Sequence, residues 1–314
     1  MRVLVVGAGA VGGYFGAGLI EAGRDVTFLV RERRADALRR EGLRVAVGDT
    51  VTVHEHPQTV TAADAGAAGT ADGGTAAPFD AVVLSVKAYA LDAAIDDITP
   101  FVGADTMVLP LLNGMRHLDR LQDAFGDRVL GGLCVIAAQL EEGGVVRRLA
   151  PGASITLGEL AGGESDRTTA LAAALTGQGF ETRLSADVRA AMWQKWVFLA
   201  SGGATTSLHD GAVGEIVATP TGALSTLRII DEIAAVATAE GYPPSARALE
   251  TVRSALTEPG SSFTTSLFRD LRQGLTVENE HILGDLVERA VRRGVDAPLL
   301  SAAYARIRVY ENRL

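Results

Sequence analysis

The sequence predicts an α/β protein, with a doubly wound parallel sheet at the N-terminus followed by an all-α C-terminal part. Three observations predict it. Met1 to Arg31 run strand, helix, strand at the length of one βαβ unit. Short aliphatic runs of buried-strand length then recur to about residue 185. From about Asp187 the apolar residues switch to a spacing of three and four, the period of helices. The expected division is a first domain at 1–185 and a second at 186–314.

The first unit carries the most information. Val3–Val6 reads as a buried strand, Ala10–Ala22 as a helix stopped by Gly23, and Val26–Val30 as the next strand. Between strand and helix stand Gly7, Ala8, Gly9, Ala10, Val11 and Gly12, a G-x-G-x-x-G turn. Gly7 suits the tight turn, Gly9 lets a pyrophosphate approach the backbone, and Gly12 lets helix and strand pack closely. The free N–H groups and dipole of the helix start favour phosphate. This context predicts a Rossmann-type dinucleotide site. At the end of the second strand an NAD site usually carries Asp or Glu, whereas this chain has Arg31, with Arg33 and Arg34 behind it. A guanidinium suits a 2′-phosphate, so the expected cofactor is NADP(H). The alternative reading is a solvated basic loop.

Composition narrows the classes. The 314 residues can bury a large core, and 47% hydrophobic content excludes a disordered chain. A net charge of −9 argues against a nucleic-acid partner. The single cysteine, Cys134, permits no internal disulfide, fits a reducing compartment and reads as core. Val3–Ile20 is uncharged, but its six glycines sit where a nucleotide turn needs them and not where a membrane helix would. A soluble, cytoplasmic protein with no membrane partner is expected.

Along the chain, Ala35–Glu41 reads as a helix and Leu43–Val47 and Val51–His54 as strands. His54 and His56 read as surface histidines, and no metal is expected. Thr61–Pro78, rich in Ala, Gly, Thr and Asp, reads as an insertion or long surface loop. Lys87 follows the strand Phe79–Val86, and Asn113 follows the strand Met107–Leu111. Strand carboxyl ends face the ligand crevice in open α/β sheets. Lys87 is therefore either a ligand contact or a solvated lysine, and Asn113 either a ligand contact or a turn former beside Gly114. Val129–Ala138, Val145–Leu149, Ile155–Leu157 and Glu181–Leu184 complete the strands.

In the helical half, Val188, Met192, Trp196 and Leu199 mark one buried stripe, with Lys195 on its flank. Partial desolvation prepares an ammonium to give up its proton; the alternative is a packed stem with a snorkelling amine. Ser201–Ala204 breaks the pattern. Helices are then expected over most of Val213–Glu240, over Ala246–Leu256, from a Thr276 cap to about Arg293, and over Ser301–Tyr310. Glu278 stands four before Ile282, in line with the apolar column of the helix, either as a site residue or as a first-turn acid suited to the dipole.

Taken together, GAGAVG at 7–12, Arg31, SVKAY at 85–89, LLNGM at 111–115, W-Q-K at 193–195, GEI at 214–216 and the Ser266–Gly284 segment resemble the ketopantoate reductase (2-dehydropantoate 2-reductase) family. The resemblance spans nearly the whole chain. It implies an active site in a cleft between a Rossmann domain and a helical domain, with NADPH reducing a 2-oxo acid to a 2-hydroxy acid in pantothenate biosynthesis. It implies cofactor contacts from the glycine turn, Arg31, Lys87, Asn113, the Ala137 backbone and Glu278. It implies substrate contacts from Lys87, Asn113, Lys195 and Ser266, with Lys195 as proton donor and Glu278 as the catalytic acid that orients the site. A homodimer is left open.

The chain departs from the family pattern where asparagines are expected four and eight residues after the lysine and just before the Gly-Glu pair. Leu199, Gly203 and Val213 stand there instead. A smaller or more apolar carbonyl substrate than ketopantoate is therefore expected. Two rivals stand beside this reading: a related NADP-dependent dehydrogenase acting on another carbonyl, and a non-catalytic NADPH-sensing protein.

Overall fold

The computed structural model describes residues 1–67 and 78–314. It divides into two units, Met1–Leu112 with His117–Arg189, and Asn113–Arg116 with Ala190–Leu314. The four residues Asn113–Arg116 thus group with the helical unit.

Unit 1 begins β1 (Arg2–Val6), α1 (Ala10–Glu21), β2 (Asp25–Leu29) and α2 (Glu32–Glu41). It continues β3 (Leu43–Val47), β4 (Thr50–His54), β5 (Gln58–Val60), α3 (Ala62–Ala67), β6 (Ala81–Leu84) and α4 (Leu91–Ile98). It ends β7 (Met107–Pro110), α5 (Arg116–Phe125), β8 (Gly131–Leu140), β9 (Val146–Gly158), α6 (Asp166–Ala174) and β10 (Glu181–Leu184). Among the described residues these strands form two sheets. The first is parallel throughout, in the order β5-β2-β1-β6-β7. Four residues each of β1, β2, β6 and β7 are buried, the continuous burial of a sheet covered on both faces. Strand order reverses around β1, so the turn after β1 opens at a switch point. The expected Rossmann-type sheet is present.

The second sheet, β10-β9-β3-β4 with β8 on β9, was not foreseen as a separate layer. The expected strands Val145–Leu149 and Ile155–Leu157 are one long strand, β9. α1 packs against β1 and β2 of one sheet and β3, β8 and β9 of the other. A helix buried on so many sides has no polar face, and eight of its twelve residues are buried.

Two further expectations change. His54 is not a surface residue: its side chain is 9% exposed and its Nε2 lies 3.4 Å from Glu21 Oε1. Thr61–Pro78 is not all loop, because Ala62–Ala67 is helical, with Asp64 Oδ2 accepting from Thr61 N at 2.7 Å. The remainder of that expectation, 68–77, lies outside the described residues.

Unit 2 contains α7 (Val188–His209, entering at Ala190), α8 (Val213–Val217), α9 (Gly222–Ala239), α10 (Ala246–Leu256), α11 (Ser266–Arg272), α12 (Asp285–Arg293) and α13 (Pro298–Glu311). The expected break at Ser201–Ala204 does not occur. Ala200 to Ser207 are all buried, and neighbours close on the two glycines, so packing holds the helix through them. Trp193 stacks on Tyr242 at 5.5 Å between ring centroids. The Arg289 guanidinium lies 5.4 Å and 5.6 Å from the Trp193 and Trp196 rings and is bonded to Asp285 and Glu240. Thr276 caps no helix. The chain is irregular from Leu275 to Glu278, and a π-helical turn, Glu280–Gly284, leads into α12. No described helix is long and apolar enough to cross a membrane.

Candidate active site

In unit 1 the glycine turn has the shape a dinucleotide needs. Gly7 has φ +93°, a conformation that side chains resist. A methyl on Gly12 would lie 2.1 Å from Gly7 O and 2.2 Å from Ser85 Oγ, so helix and strand touch there. A methyl on Gly9 would meet nothing within 4 Å, which leaves the turn open on its outer side. Ala10 begins α1, and Gly9, at its N-cap, makes no side-chain cap bond, so the helix start faces outward with its dipole. Ala8 is buried and Val11 partly so. Tight packing behind Gly12 and open space before Gly9 fit a pyrophosphate.

Two residues named in the sequence only as members of a cluster or motif, Ser85 and Arg34, brace this turn. Ser85 Oγ donates to Val6 O at 2.8 Å and to Gly7 O at 3.2 Å. Arg34 Nη2 donates to Ala8 O at 3.0 Å, and burial with the nearby Arg44 charge holds the Arg34 pKa below its usual value. Their signals were faint: a serine just past a buried strand, and the third arginine of a cluster. Arg31 itself is exposed at the N-cap of α2, just past β2. Lys87 is exposed just beyond β6. Ala137 falls at the register shift between Ile136 and Ala138 in the β8–β9 ladder, a break that can turn its peptide outward.

In unit 2 the structure brings Lys195 and Asn113 together. Lys195 Nζ donates to Asn113 Oδ1 at 2.9 Å, and both residues are half-buried. The adjoining Gly114, at φ +80°, lies so close to His281 that a methyl would sit 2.3 Å from its carbonyl oxygen. Trp196 Nε1, beside Lys195, donates to Ile282 O at 2.9 Å. The loop at 113–114, the turn at 281–282 and the lysine helix are thereby tied into one cluster.

Glu278 is 8% exposed and its carbonyl accepts from Ile282 N at 3.0 Å, a bond of α-helical spacing at the entry to the π segment. π turns reset the direction in which neighbouring side chains point and recur at functional sites. Ser266 opens α11, half-buried, next to Thr265, whose Oγ1 caps that helix by accepting from Phe268 N. His281 was not foreseen. Burial lowers its pKa from the ordinary 6.5, Glu278 opposes the shift and Arg116 adds to it. Burial raises Asp285, against the pull of Arg289. No group of three or more His, Cys, Asp or Glu side chains suited to a metal occurs among the described residues.

Family models described as "Ketopantoate reductase PanE/ApbA" and its C-terminal counterpart match residues 3–162 and 187–311. The chain is 35% identical over 312 residues to the "Uncharacterized oxidoreductase YkpB" of Bacillus subtilis, covering 99% of each chain. It is 31% identical to the 2-dehydropantoate 2-reductase of Halobacterium salinarum, covering 96% of this chain and 95% of that one. Among solved structures, the 2-dehydropantoate 2-reductase from Methylococcus capsulatus matches with TM-score 0.84 at 27% identity, over 100% of this chain and 97% of that one. A D-mandelate dehydrogenase solved with NADH and anilino(oxo)acetate shares the fold, with TM-score 0.85 at 22% identity over 100% and 99%. With both halves matched by its models and the sheet, glycine turn and helical unit in place, this chain belongs to the ketopantoate reductase family of oxidoreductases.

Proposed function

We propose that this protein reduces a 2-oxo acid to the 2-hydroxy acid with NADPH, using Lys195 as the proton donor. The bound dinucleotide supplies a hydride. With hydride added at the carbonyl carbon, negative charge would develop on the oxygen, and Lys195 Nζ would deliver its proton there, completing C–H and O–H and leaving a neutral amine. The amine regains its proton from solvent.

The observation that carries the reading is the Lys195–Asn113 hydrogen bond. An ammonium has three N–H donors. Asn113 takes one and fixes the direction of the others, so the charge is oriented before substrate binds. The remaining roles extend this. Gly7, Ala8, Gly9, Ala10, Val11 and Gly12 cradle the phosphates, and Arg31 takes the 2′-phosphate. The Ala137 peptide contacts the cofactor, Lys87 pairs with the substrate carboxylate, and Ser266 bonds the substrate. Glu278, buried one turn before Ile282, orients the lysine or the nicotinamide ribose.

The test is NADPH oxidation by the purified protein against a set of 2-oxo acids that includes 2-dehydropantoate. Turnover of at least one, lost in Lys195→Ala, supports the reading. A protein that binds NADPH and turns over none of them is a sensor and overturns it.

A further inference from the structure

We propose that the substrate is a 2-oxo acid with a short, hydroxyl-free aliphatic side chain, an inference that rests on the reductase reading above. Lys195, Leu199 and Gly203 stand four residues apart on α7 and share one face. If the carbonyl oxygen sits at Lys195 Nζ, the substrate side chain extends toward the next turn, about 5.4 Å along the helix. That turn presents Leu199, which is half-buried and carries no hydrogen-bonding group.

Beyond it the face is closed by hydrocarbon. A methyl on Gly203 would stand 3.1 Å from Leu267 Cδ2 and 4.0 Å from Ile282 Cγ2, and both of those side chains are 3% exposed. A methyl on Gly202 would stand 2.9 Å from Thr265 Cγ2 and 3.5 Å from both Leu256 Cδ2 and Phe263 Cε1. The next hydroxyl on this face, Thr206 Oγ1, is spent on Gly202 O at 2.7 Å and on Thr265 Oγ1 at 3.3 Å. A substrate hydroxyl directed at this turn would leave water and find no partner on Leu199 or Gly203. Methyl groups would instead meet Leu199 and the closed apolar floor.

Two substrates isolate the point. 3,3-Dimethyl-2-oxobutanoate is 2-dehydropantoate without its hydroxyl, so carboxylate, carbonyl and both branching methyls are shared. The measurement is kcat/KM for each with NADPH, in the parent protein and in Leu199→Asn. The parent should prefer the hydroxyl-free acid by about 10–100-fold, the range over which an apolar pocket rejects an added hydroxyl. Leu199→Asn should move that ratio toward 2-dehydropantoate by about 10-fold, roughly one hydrogen bond. Turnover of both with 2-dehydropantoate equal or better, or a ratio that Leu199→Asn leaves unchanged, overturns the inference while the reductase reading stands. Turnover of neither, while another 2-oxo acid of the set is reduced, overturns this inference alone; turnover of none of the set, with NADPH bound, overturns the reductase reading and this inference with it.

Discussion

Lys195 Nζ donates to Asn113 Oδ1 at 2.9 Å across 82 residues of sequence. The pair sets the first prediction. Lys195→Ala should lower turnover by about 10²–10⁴-fold, the usual contribution of a general acid, with NADPH affinity nearly unchanged. Asn113→Ala removes the acceptor of the Lys195 hydrogen bond and should cost about 10-fold in turnover, the equivalent of one hydrogen bond. Steady-state rates with NADPH fluorescence titration check both. Parental turnover in Lys195→Ala would refute its role.

The second and third glycines of the turn after β1 should fail in different ways. Gly9 has φ −88° and open space in front, so Gly9→Ala should keep its melting temperature and bind NADPH about 10-fold or more weakly, because the methyl stands where phosphate must approach. Gly12→Ala would force a methyl against Gly7 O and Ser85 Oγ and should lower the melting temperature. Calorimetry and cofactor titration separate the two. Equal melting temperatures for both variants would contradict the packing described.

Arg31 and Arg34 should also separate. Arg31→Ala should weaken NADPH about 10–100-fold, as expected for a lost charge-assisted contact, and leave NADH unchanged. Arg34→Met breaks the bond to Ala8 O and should weaken both cofactors alike. Paired kcat/KM values for the two cofactors decide it, and an equal loss in Arg31→Ala would remove the 2′-phosphate assignment.

His281 gives a pH dependence. Its pKa lies below 6.5 because it is buried, with Arg116 adding to the shift and Glu278 opposing it. The unfolded chain takes up a proton as pH falls through about 6.5, and the folded chain does so only at lower pH. Stability from this group is therefore present above pH 6.5 and declines as pH falls toward the folded value. His281→Gln should flatten that limb of urea midpoint against pH. A parallel curve for the variant would reject it.

Trp196 tests the packing beneath the lysine. Trp196→Phe leaves the buried Ile282 carbonyl without its donor and should cost about 1–3 kcal/mol in urea unfolding. No loss of stability would mean that the 281–282 turn finds another donor.

The local pattern carried the N-terminal unit far. β1, α1 and β2 follow from Val3–Val6, the glycines and Val26–Val30, because βαβ geometry is set by contacts close in sequence. The helices from Ala246 and to Arg293 follow from their periodicity. The pattern misled where distant chain decides the outcome. Gly202 and Gly203 read as a break and are helical because Thr265, Leu267 and Ile282 pack on them. Thr276 read as a cap, yet the turn opens at Glu278 and winds as a π segment against Tyr304, whose hydroxyl donates to Glu280 at 2.7 Å.

The site divides in the same way. By itself, the sequence determined that a glycine turn follows β1 and marked Arg31, Lys87, Asn113, Lys195 and Glu278 as candidate site residues, since residue type and spacing record both. Only the tertiary structure decided that Asn113 meets Lys195, that Ser85 and Arg34 brace the glycine turn, and that hydrocarbon closes on Gly203. Hydrogen bonds and close contacts between residues tens of positions apart depend on how helices and loops pack, and no local period of the chain encodes that.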